Sequence, residues 1–275
     1  MLARLLVEVA GLARSTSSGT LMRYLSSIAI EMPSVLRSRT LAAADRKMAG
    51  PIVFRTWNGR ATIDFGALDR ELAFDQSSAF GLARELFGRN VYLRAFQPFH
   101  GNGGIALDLG GNRGLATVLM SAAFSPAKII YIEPDKRYLP TLRMLTTPHI
   151  ATEVEVHHGY VGVAPQEHLE LLDLDRLLPN QLISFVKMDI EGAEQQLLAG
   201  SATWLDRTAR IAMESHPDTC DVGEVVRMLE ARGFFVYPSD PIGRHTAASE
   251  AGFVYAARSK DDLADKFRAH IQPAR

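Results

Sequence analysis

The residues of this chain that could carry acid–base or metal chemistry follow an apolar run at 182–188. Asp189, Glu191 and Glu194 come directly after it, so a strand there would deliver three carboxylates to one turn. Grouped carboxylates can accept a proton, position a hydroxyl group or bind a cation. Glu191 and Glu194 could also simply cap the helix that we predict to begin near residue 192. We take Asp189 and Glu191 as candidate catalytic residues.

A second apolar run, 208–213, ends in Glu214 and is followed two residues later by His216. If the two runs form neighbouring parallel strands, Asp189, Glu214 and His216 converge on one rim of the sheet. Asp189 or His216 could then act as a general base. Alternatively, Asp189 and Glu214 could hold a Mg²⁺ ion that lowers the pKa of a substrate hydroxyl group. A histidine before a proline is also common in surface turns, so a structural role for His216 stays open.

A glycine-rich segment at 105–114, Ile-Ala-Leu-Asp-Leu-Gly-Gly-Asn-Arg-Gly, predicts a strand, a tight turn and the start of a helix. Glu133 ends the next apolar run, where a carboxylate can accept hydrogen bonds from a ribose diol. The turn lacks G-x-G, which disfavours a dinucleotide and its pyrophosphate. Asp108 adds negative charge, which suits S-adenosylmethionine, a ligand with an ammonium and a sulfonium but no phosphate. A turn that binds no ligand is the alternative.

Taken together, these motifs resemble those of the FkbM-type S-adenosylmethionine-dependent methyltransferases. The shared elements are a D-x-G-x-N-x-G turn at 108–114, Glu133-Pro134, K-x-D-x-E-G-x-E at 187–194 and E-x-H at 214–216. The resemblance covers roughly residues 105–255 and implies methyl transfer to an oxygen atom, commonly of a sugar or natural product. The cofactor contacts that it implies are Asp108, Gly110, Asn112, Gly114 and Glu133, with Tyr160 as a further candidate beside the adenine. An inactive protein that binds S-adenosylmethionine or acts as a scaffold is the alternative.

The order of apolar and helical patterns predicts a doubly wound α/β fold, and the resemblance implies a Rossmann-like class I methyltransferase sheet of seven strands whose last pair is antiparallel. That last pair corresponds to the apolar runs 234–237 and 252–256. We expect a mostly helical N-terminal cap at 1–102, the methyltransferase domain at 103–259 and a charged tail, a solvated helix, at 260–275.

The cap region has no cofactor motif. Its patterns predict an amphipathic helix at 2–13, further helices at 20–30 and 70–87, and a hairpin with a type I′ turn at Asn58-Gly59. Such a cap would supply acceptor specificity, which depends on loops. Candidate acceptor contacts, within the cap and beyond it, are Trp57, His100, His158, Tyr160 and His245.

Composition narrows the class of protein. Thirty Lys and Arg nearly balance 31 Asp and Glu, so nothing indicates a general affinity for nucleic acid or for anionic membranes. The single Cys220 excludes an internal disulfide, and no apolar stretch approaches the roughly 20 residues that cross a bilayer. We therefore expect a cytoplasmic enzyme with a small-molecule or glycan acceptor, and a possible homodimer through the apolar N-terminal segment.

Overall fold

The computed structural model describes residues 2–75, 77–101, 103–146, 150–162, 170–200 and 202–271. The chain forms two compact units, each discontinuous in sequence. The first unit comprises residues 1–91, 113–123 and 137–151, and the second comprises residues 92–112, 124–136 and 152–275. The domain boundary at residue 102 stays a prediction.

The second unit contains a seven-stranded sheet, and the first contains a two-stranded hairpin. The strands are β1 (Pro51–Arg55), β2 (Arg60–Asp64), β3 (Ile105–Leu109), β4 (Lys128–Glu133), β5 (Glu153–His158), β6 (Ile183–Met188), β7 (Arg210–Glu214), β8 (Phe235–Ser239) and β9 (Phe253–Ala257). The large sheet has the order β5-β4-β3-β6-β7-β9-β8. Its strands run parallel except β9, which is antiparallel to both β7 and β8. This order confirms the predicted Rossmann-like methyltransferase sheet with its antiparallel last pair.

The central strands are buried along their length, as expected of parallel strands. Side chains of β3, β4, β6 and β7 pack in one core with residues of the later helices, including Trp204, Val225 and Leu229. The chain passes from β3 to β4 on one side, while β6 pairs with β3 on the other. The carboxyl ends of β3 and β6 therefore flank the topological switch point, where open α/β sheets bind ligands.

The helices differ from the predicted ones mainly in the first unit. The α-helices are α1 (Leu2–Ser15), α2 (Ser18–Ile30), α3 (Met32–Ser38), α4 (Ala42–Asp45), α5 (Phe65–Glu71), α6 (Ala79–Ala83), α7 (Leu115–Phe124), α8 (Leu139–Thr146), α9 (Leu174–Leu177), α10 (Glu194–Ala199), α11 (Val222–Ala231) and α12 (Asp265–Arg268). The predictions at 2–13 and 20–30 are confirmed by α1 and α2. No helix among the described residues has the length and apolar character needed to cross a membrane.

The single helix predicted at 70–87 is wrong. Helix α5 ends at Glu71, α6 begins at Ala79, and a π-helical turn follows at Arg84–Arg89. Asp75 lies in the break, where its carboxylate accepts hydrogen bonds from the backbone and hydroxyl of Ser77 and pairs with Arg113. Burial opposes ionisation, but these donors outweigh it and hold the pKa of Asp75 well below its usual value. The long-range partner Arg113 thus stabilises a turn where local patterning favours a helix.

The hairpin is confirmed, but its turn is not of type I′. Strands β1 and β2 pair up to Arg55 and Arg60, leaving a four-residue loop, and neither Asn58 nor Gly59 has a positive φ. The loop instead binds the end of α7. The Thr56 hydroxyl donates to the Ala122 carbonyl at 2.7 Å, and the Asn58 amide donates to the Ala123 carbonyl at 2.7 Å. The conformation of the hairpin loop is therefore determined by its hydrogen bonds to the carbonyl groups at the C-terminal end of α7.

The C-terminal segment is not a solvated helix. Within residues 260–271 the α-helix spans only Asp265–Arg268, and Phe267 is fully buried. Its ring contacts Tyr237 and Tyr255 of the antiparallel strand pair. The prediction was wrong because it rested on the many charged residues of this segment and did not take the buried Phe267 into account. Residues 272–275 lie outside the described part.

Candidate functional site

The second unit brings the predicted catalytic side chains together. Strands β6 and β7 are parallel neighbours, so Asp189 and His216, which follow them, lie at the same edge. The Nε2 atom of His216 lies 3.8 Å from Asp189 Oδ1 and 3.5 Å from Glu191 Oε2. The Glu191 side chain is 88% exposed, whereas those of Asp189 and His216 are mostly buried. The predicted convergence on one rim therefore occurs.

Glu194 orients the imidazole of His216. Its Oε1 atom lies 3.0 Å from His216 Nδ1 and also accepts hydrogen bonds from the backbone of Ile190 and Gly192. The side chain is fully buried. Glu194 thus stabilises the turn before α10 and in addition holds His216, but the prediction that it caps the helix is wrong, because α10 begins at Glu194 itself and has no side-chain cap. The contact with His216 was not predicted.

The pair shifts both pKa values. The hydrogen bond that His216 donates to Glu194, together with the charges of Asp189 and Glu191, raises the pKa of His216 to about 9, against a smaller effect of burial. Burial would raise the pKa of Glu194, but His216 and the backbone donors outweigh it and lower the pKa. At neutral pH the pair is therefore an imidazolium and a carboxylate.

Tyr92 is a member of the site that the sequence did not reveal. Its hydroxyl lies 3.2 Å from Asp189 Oδ2 and 3.3 Å from Glu214 Oε2. Burial, followed by the charges of Asp189 and Glu214, raises the pKa of Tyr92 well above its usual value. One hydroxyl proton serves two carboxylates, so it is donated to only one of them at a time. Tyr92 lies in a region without a motif, so no local signal could have found it.

Asp108 does not present an open carboxylate. It is fully buried in β3, and Lys187 Nζ of the neighbouring strand lies 3.3 Å from its Oδ1 atom. Burial opposes charge on Lys187, but Asp108 and Asp189 outweigh it and raise its pKa. The expectation that Asp108 offers its charge directly to a cationic ligand was therefore wrong, because Lys187 already neutralises it.

Glu133 at the end of β4 organises the glycine turn. One carboxylate oxygen accepts from the Asn112 backbone N–H at 2.7 Å, and the other accepts from the Asp135 N–H at 2.8 Å. Burial raises the pKa of Glu133 although these donors oppose it. Asn112 has a left-handed φ of 48°, which this hydrogen bond helps to stabilise. Each oxygen of Glu133 retains a lone pair for a further donor such as a ribose hydroxyl.

Internal packing already requires two of the glycines. Gly110 has a φ of 70°, and a Cβ atom there would lie 1.8 Å from the Asp189 carbonyl oxygen. Gly114, in the first unit, has a φ of 83° and a Cβ there would lie 2.6 Å from Leu142. These glycines permit close approach of protein to protein. They are therefore weaker evidence for a ligand than the sequence indicated.

The remaining predicted residues belong to other elements of the chain. Tyr160 follows β5, the edge strand, where its backbone N–H donates to Glu170. Trp57 belongs to the hairpin loop of the first unit. His100, His158 and His245 are exposed. Nothing connects these five side chains with an acceptor, and their roles stay predictions.

No protein-family model matches the chain, and a search of curated proteins finds no match. Solved structures show a similar fold. Methyltransferase FkbM from Methylobacillus flagellatus KT is 19% identical with a TM-score of 0.44 over 70% of this chain and 57% of that one. A precorrin-6y C5,15-methyltransferase from Geobacter metallireducens GS-15 is 15% identical with a TM-score of 0.42, covering 62% and 87% of the two chains. An S-adenosylmethionine-dependent O-methyltransferase from Thermotoga maritima is 15% identical with a TM-score of 0.41, covering 75% and 77%.

Proposed function

We propose that this chain is an S-adenosylmethionine-dependent methyltransferase that methylates a hydroxyl group of a sugar or natural product. The observation that carries the proposal is the His216 imidazole, held between Glu194 and Asp189 at the carboxyl ends of two parallel strands. This edge adjoins the switch point of a sheet whose strand order is that of methyltransferases. A cytoplasmic location and a homodimer stay predictions.

The charges of the rim support a cationic cofactor. Carboxylates outnumber the cationic side chains at this rim, which are Lys187 and His216. These carboxylates are Asp108, Glu133, Asp189, Glu191, Glu194 and Glu214. An excess of negative charge attracts a sulfonium and an ammonium and repels the phosphates of a dinucleotide. The free lone pairs of Glu133 suit a ribose diol.

S-adenosylmethionine, when bound, supplies a methyl group on a positively charged sulfur atom. The chain must then remove the proton of the acceptor hydroxyl, which does not ionise appreciably at neutral pH by itself. Glu194 fixes His216 through Nδ1, so that Nε2 faces Asp189 and can take this proton. The raised pKa of His216 keeps it protonated in the ligand-free protein, and a nearby cation lowers that pKa. Asp189 is the second candidate for the base.

The predicted Mg²⁺ ion at Asp189 and Glu214 remains the competing explanation. In the structure both carboxylates contact the Tyr92 hydroxyl. Among the described residues, the potential metal-ligand atoms that lie within 4.8 Å of one another are instead those of Asp189, Glu191 and His216. Because the Tyr92 hydroxyl already engages the two carboxylates predicted to hold the ion, we favour proton transfer by a side chain over a metal-bound hydroxyl.

Calorimetry with S-adenosylmethionine and NAD, followed by methyl-transfer assays on a panel of glycosides, tests the proposal. We expect binding of the first ligand only, and turnover that persists in EDTA. His216→Asn should reduce the rate by about 100-fold or more with little change in cofactor affinity. His157→Asn is the matched control, since His157 pairs with Glu155 on the edge strand at 2.8 Å. Binding without turnover on any acceptor would favour a scaffold, and loss of turnover in EDTA would favour the metal.

A further inference from the structure

The helices α1, α2 and α3 of the first unit expose an unusual share of apolar side chains. Of the eleven large apolar side chains that are exposed among the described residues, five lie between residues 6 and 36, so they are concentrated in these helices. They are Leu6 (61% exposed), Met22 (61%), Ile30 (73%), Met32 (38%) and Leu36 (60%). Helix α2 contacts both α1 and α3, so the three helices form one surface region. We call it the α1–α3 surface.

Helix α2 shows the pattern most clearly. Its solvent-exposed positions include Met22, Arg23, Ser26, Ala29 and Ile30, none of which is acidic. The outward side of a surface helix is normally rich in charged residues of both signs. An outward side made of apolar residues with an arginine is instead typical of helices that lie at a membrane interface.

The charges of the α1–α3 surface are almost entirely positive. Arg14, Arg23, Arg37 and Arg39 are all exposed. Residues 1–44 contain only two acidic residues, Glu8 and Glu31. Both are engaged, because Glu8 is buried against Arg84 and Glu31 lies 3.4 Å from Lys47. This surface is therefore cationic although the whole chain has a formal net charge of −1.

A groove opens beside these helices. It has a volume of about 730 Å³, and its apolar wall includes Leu5, Val35, Leu36 and Leu41. Arg39 also lines it. An apolar slot next to an arginine matches the chemistry of an acyl chain attached to an anionic headgroup.

Buried charges close the inner side of the groove. The guanidinium of Arg84 pairs with both Glu8 and Asp45, and the Tyr24 hydroxyl donates to Asp45 at 2.8 Å. This network links α1, α2 and α4 to the π-helical turn. Because these charges satisfy one another, the groove can take an apolar group without leaving them unpaired.

We propose that the α1–α3 surface binds an anionic phospholipid bilayer. Its apolar side chains would insert between the headgroups, while Arg14, Arg23, Arg37 and Arg39 neutralise lipid phosphates. A second copy of the chain fits less well, because a two-fold contact through this surface would bring like charges together. Nucleic acid fits less well, because it offers no partner for the exposed apolar side chains.

Vesicle co-sedimentation of the full chain, without cofactor or acceptor, tests the proposal and is independent of the proposed function. We expect binding to vesicles of phosphatidylglycerol and phosphatidylcholine, weaker binding at high salt, and little binding to phosphatidylcholine alone. In the double variant Arg23→Gln/Arg37→Gln, affinity should fall by about fivefold for each arginine removed. Ile30→Ser/Leu36→Ser should weaken binding by about tenfold or more.

The control is Leu182→Ser, which removes a side chain that is 70% exposed in the second unit. It should bind vesicles as the unsubstituted chain does. Thermal unfolding of each variant verifies that the fold is retained. Equal binding to both vesicle types, unchanged binding by the two double variants, or a concentration-dependent dimer that those variants abolish would overturn the proposal.

Discussion

Replacing Glu194 by Gln isolates the contact that orients His216. Glutamine retains the shape and one oxygen acceptor, but it removes the buried negative charge that lies 3.0 Å from Nδ1. The pKa of His216, which is about 9 in the native protein against an ordinary value of 6.5, should fall. The charges of Asp189 and Glu191 remain in place, so the fall should stop short of the ordinary value.

The expected fall in the pKa of His216 follows from the distances of the three carboxylates around its imidazole. The hydrogen bond with Glu194 is the largest cause of the raised pKa. Asp189 and Glu191 lie farther away, at 3.8 and 3.5 Å from Nε2. We therefore expect Glu194→Gln to lower the pKa of His216 by more than any other single substitution around the imidazole, and each tenfold change in the protonation equilibrium corresponds to ~1.4 kcal/mol. Because the imidazole is 24% exposed, solvent screening keeps the coupling on the order of 1–2 kcal/mol.

The same coupling makes stability depend on pH. The folded-state pKa of His216 is raised, so its contribution is complete below the unfolded value and disappears as pH rises through about 9. The loss of thermal stability caused by Glu194→Gln should therefore be larger at pH 6 than at pH 10.

Proton NMR titration of the His216 ring, assigned with His216→Asn, measures the pKa directly. Glu191→Gln is the matched control, since that carboxylate is 88% exposed and its removal should lower the pKa far less. An unchanged pKa in Glu194→Gln, or an equal fall in both variants, would refute the reasoning. If His216 is the base, kcat/KM increases with pH as His216 loses its proton. In Glu194→Gln this increase should then occur at lower pH, in step with the lowered pKa of His216.

Four further substitutions test separate parts of the structure. Gly110→Ala should destabilise the fold by about 3 kcal/mol or more in urea unfolding, because its Cβ would meet the Asp189 carbonyl at a positive φ. Phe267→Ala should lower the free energy of unfolding by about 3–5 kcal/mol in the same assay, because the ring is fully buried. If the C-terminal segment were solvated, the substitution would leave the free energy of unfolding almost unchanged. Glu133→Gln should weaken S-adenosylmethionine binding by roughly 10- to 100-fold in calorimetry, and unchanged affinity would remove Glu133 from the cofactor site. Asp189→Asn should reduce methyl transfer by about 100-fold at unchanged cofactor affinity, and a variant as active as the native chain would exclude Asp189 as base and as metal ligand.

The amino-acid sequence was sufficient to predict the sheet and the position of the rim. The runs of β3 and β6 are mostly apolar, of strand length and followed by turn residues, which favours strands covered on both faces, and parallel strands place their carboxyl ends together. Asp189 and His216 each follow such a run, so their convergence needed no knowledge of distant contacts. The apolar runs predicted the last two strands, whereas their antiparallel direction was implied by the resemblance to methyltransferases.

Only the tertiary structure decided how the charges of the rim are paired. Tyr92 contacts Asp189 across 97 positions of sequence, and Lys187 neutralises Asp108 from a neighbouring strand. The break at Asp75 likewise depends on Arg113, 38 positions away. Periodicity and spacing describe only neighbours along the chain, whereas a buried charge takes whichever partner the fold brings within reach. The sequence therefore specified where the ionisable groups gather, and the packing determined which of them remain able to act.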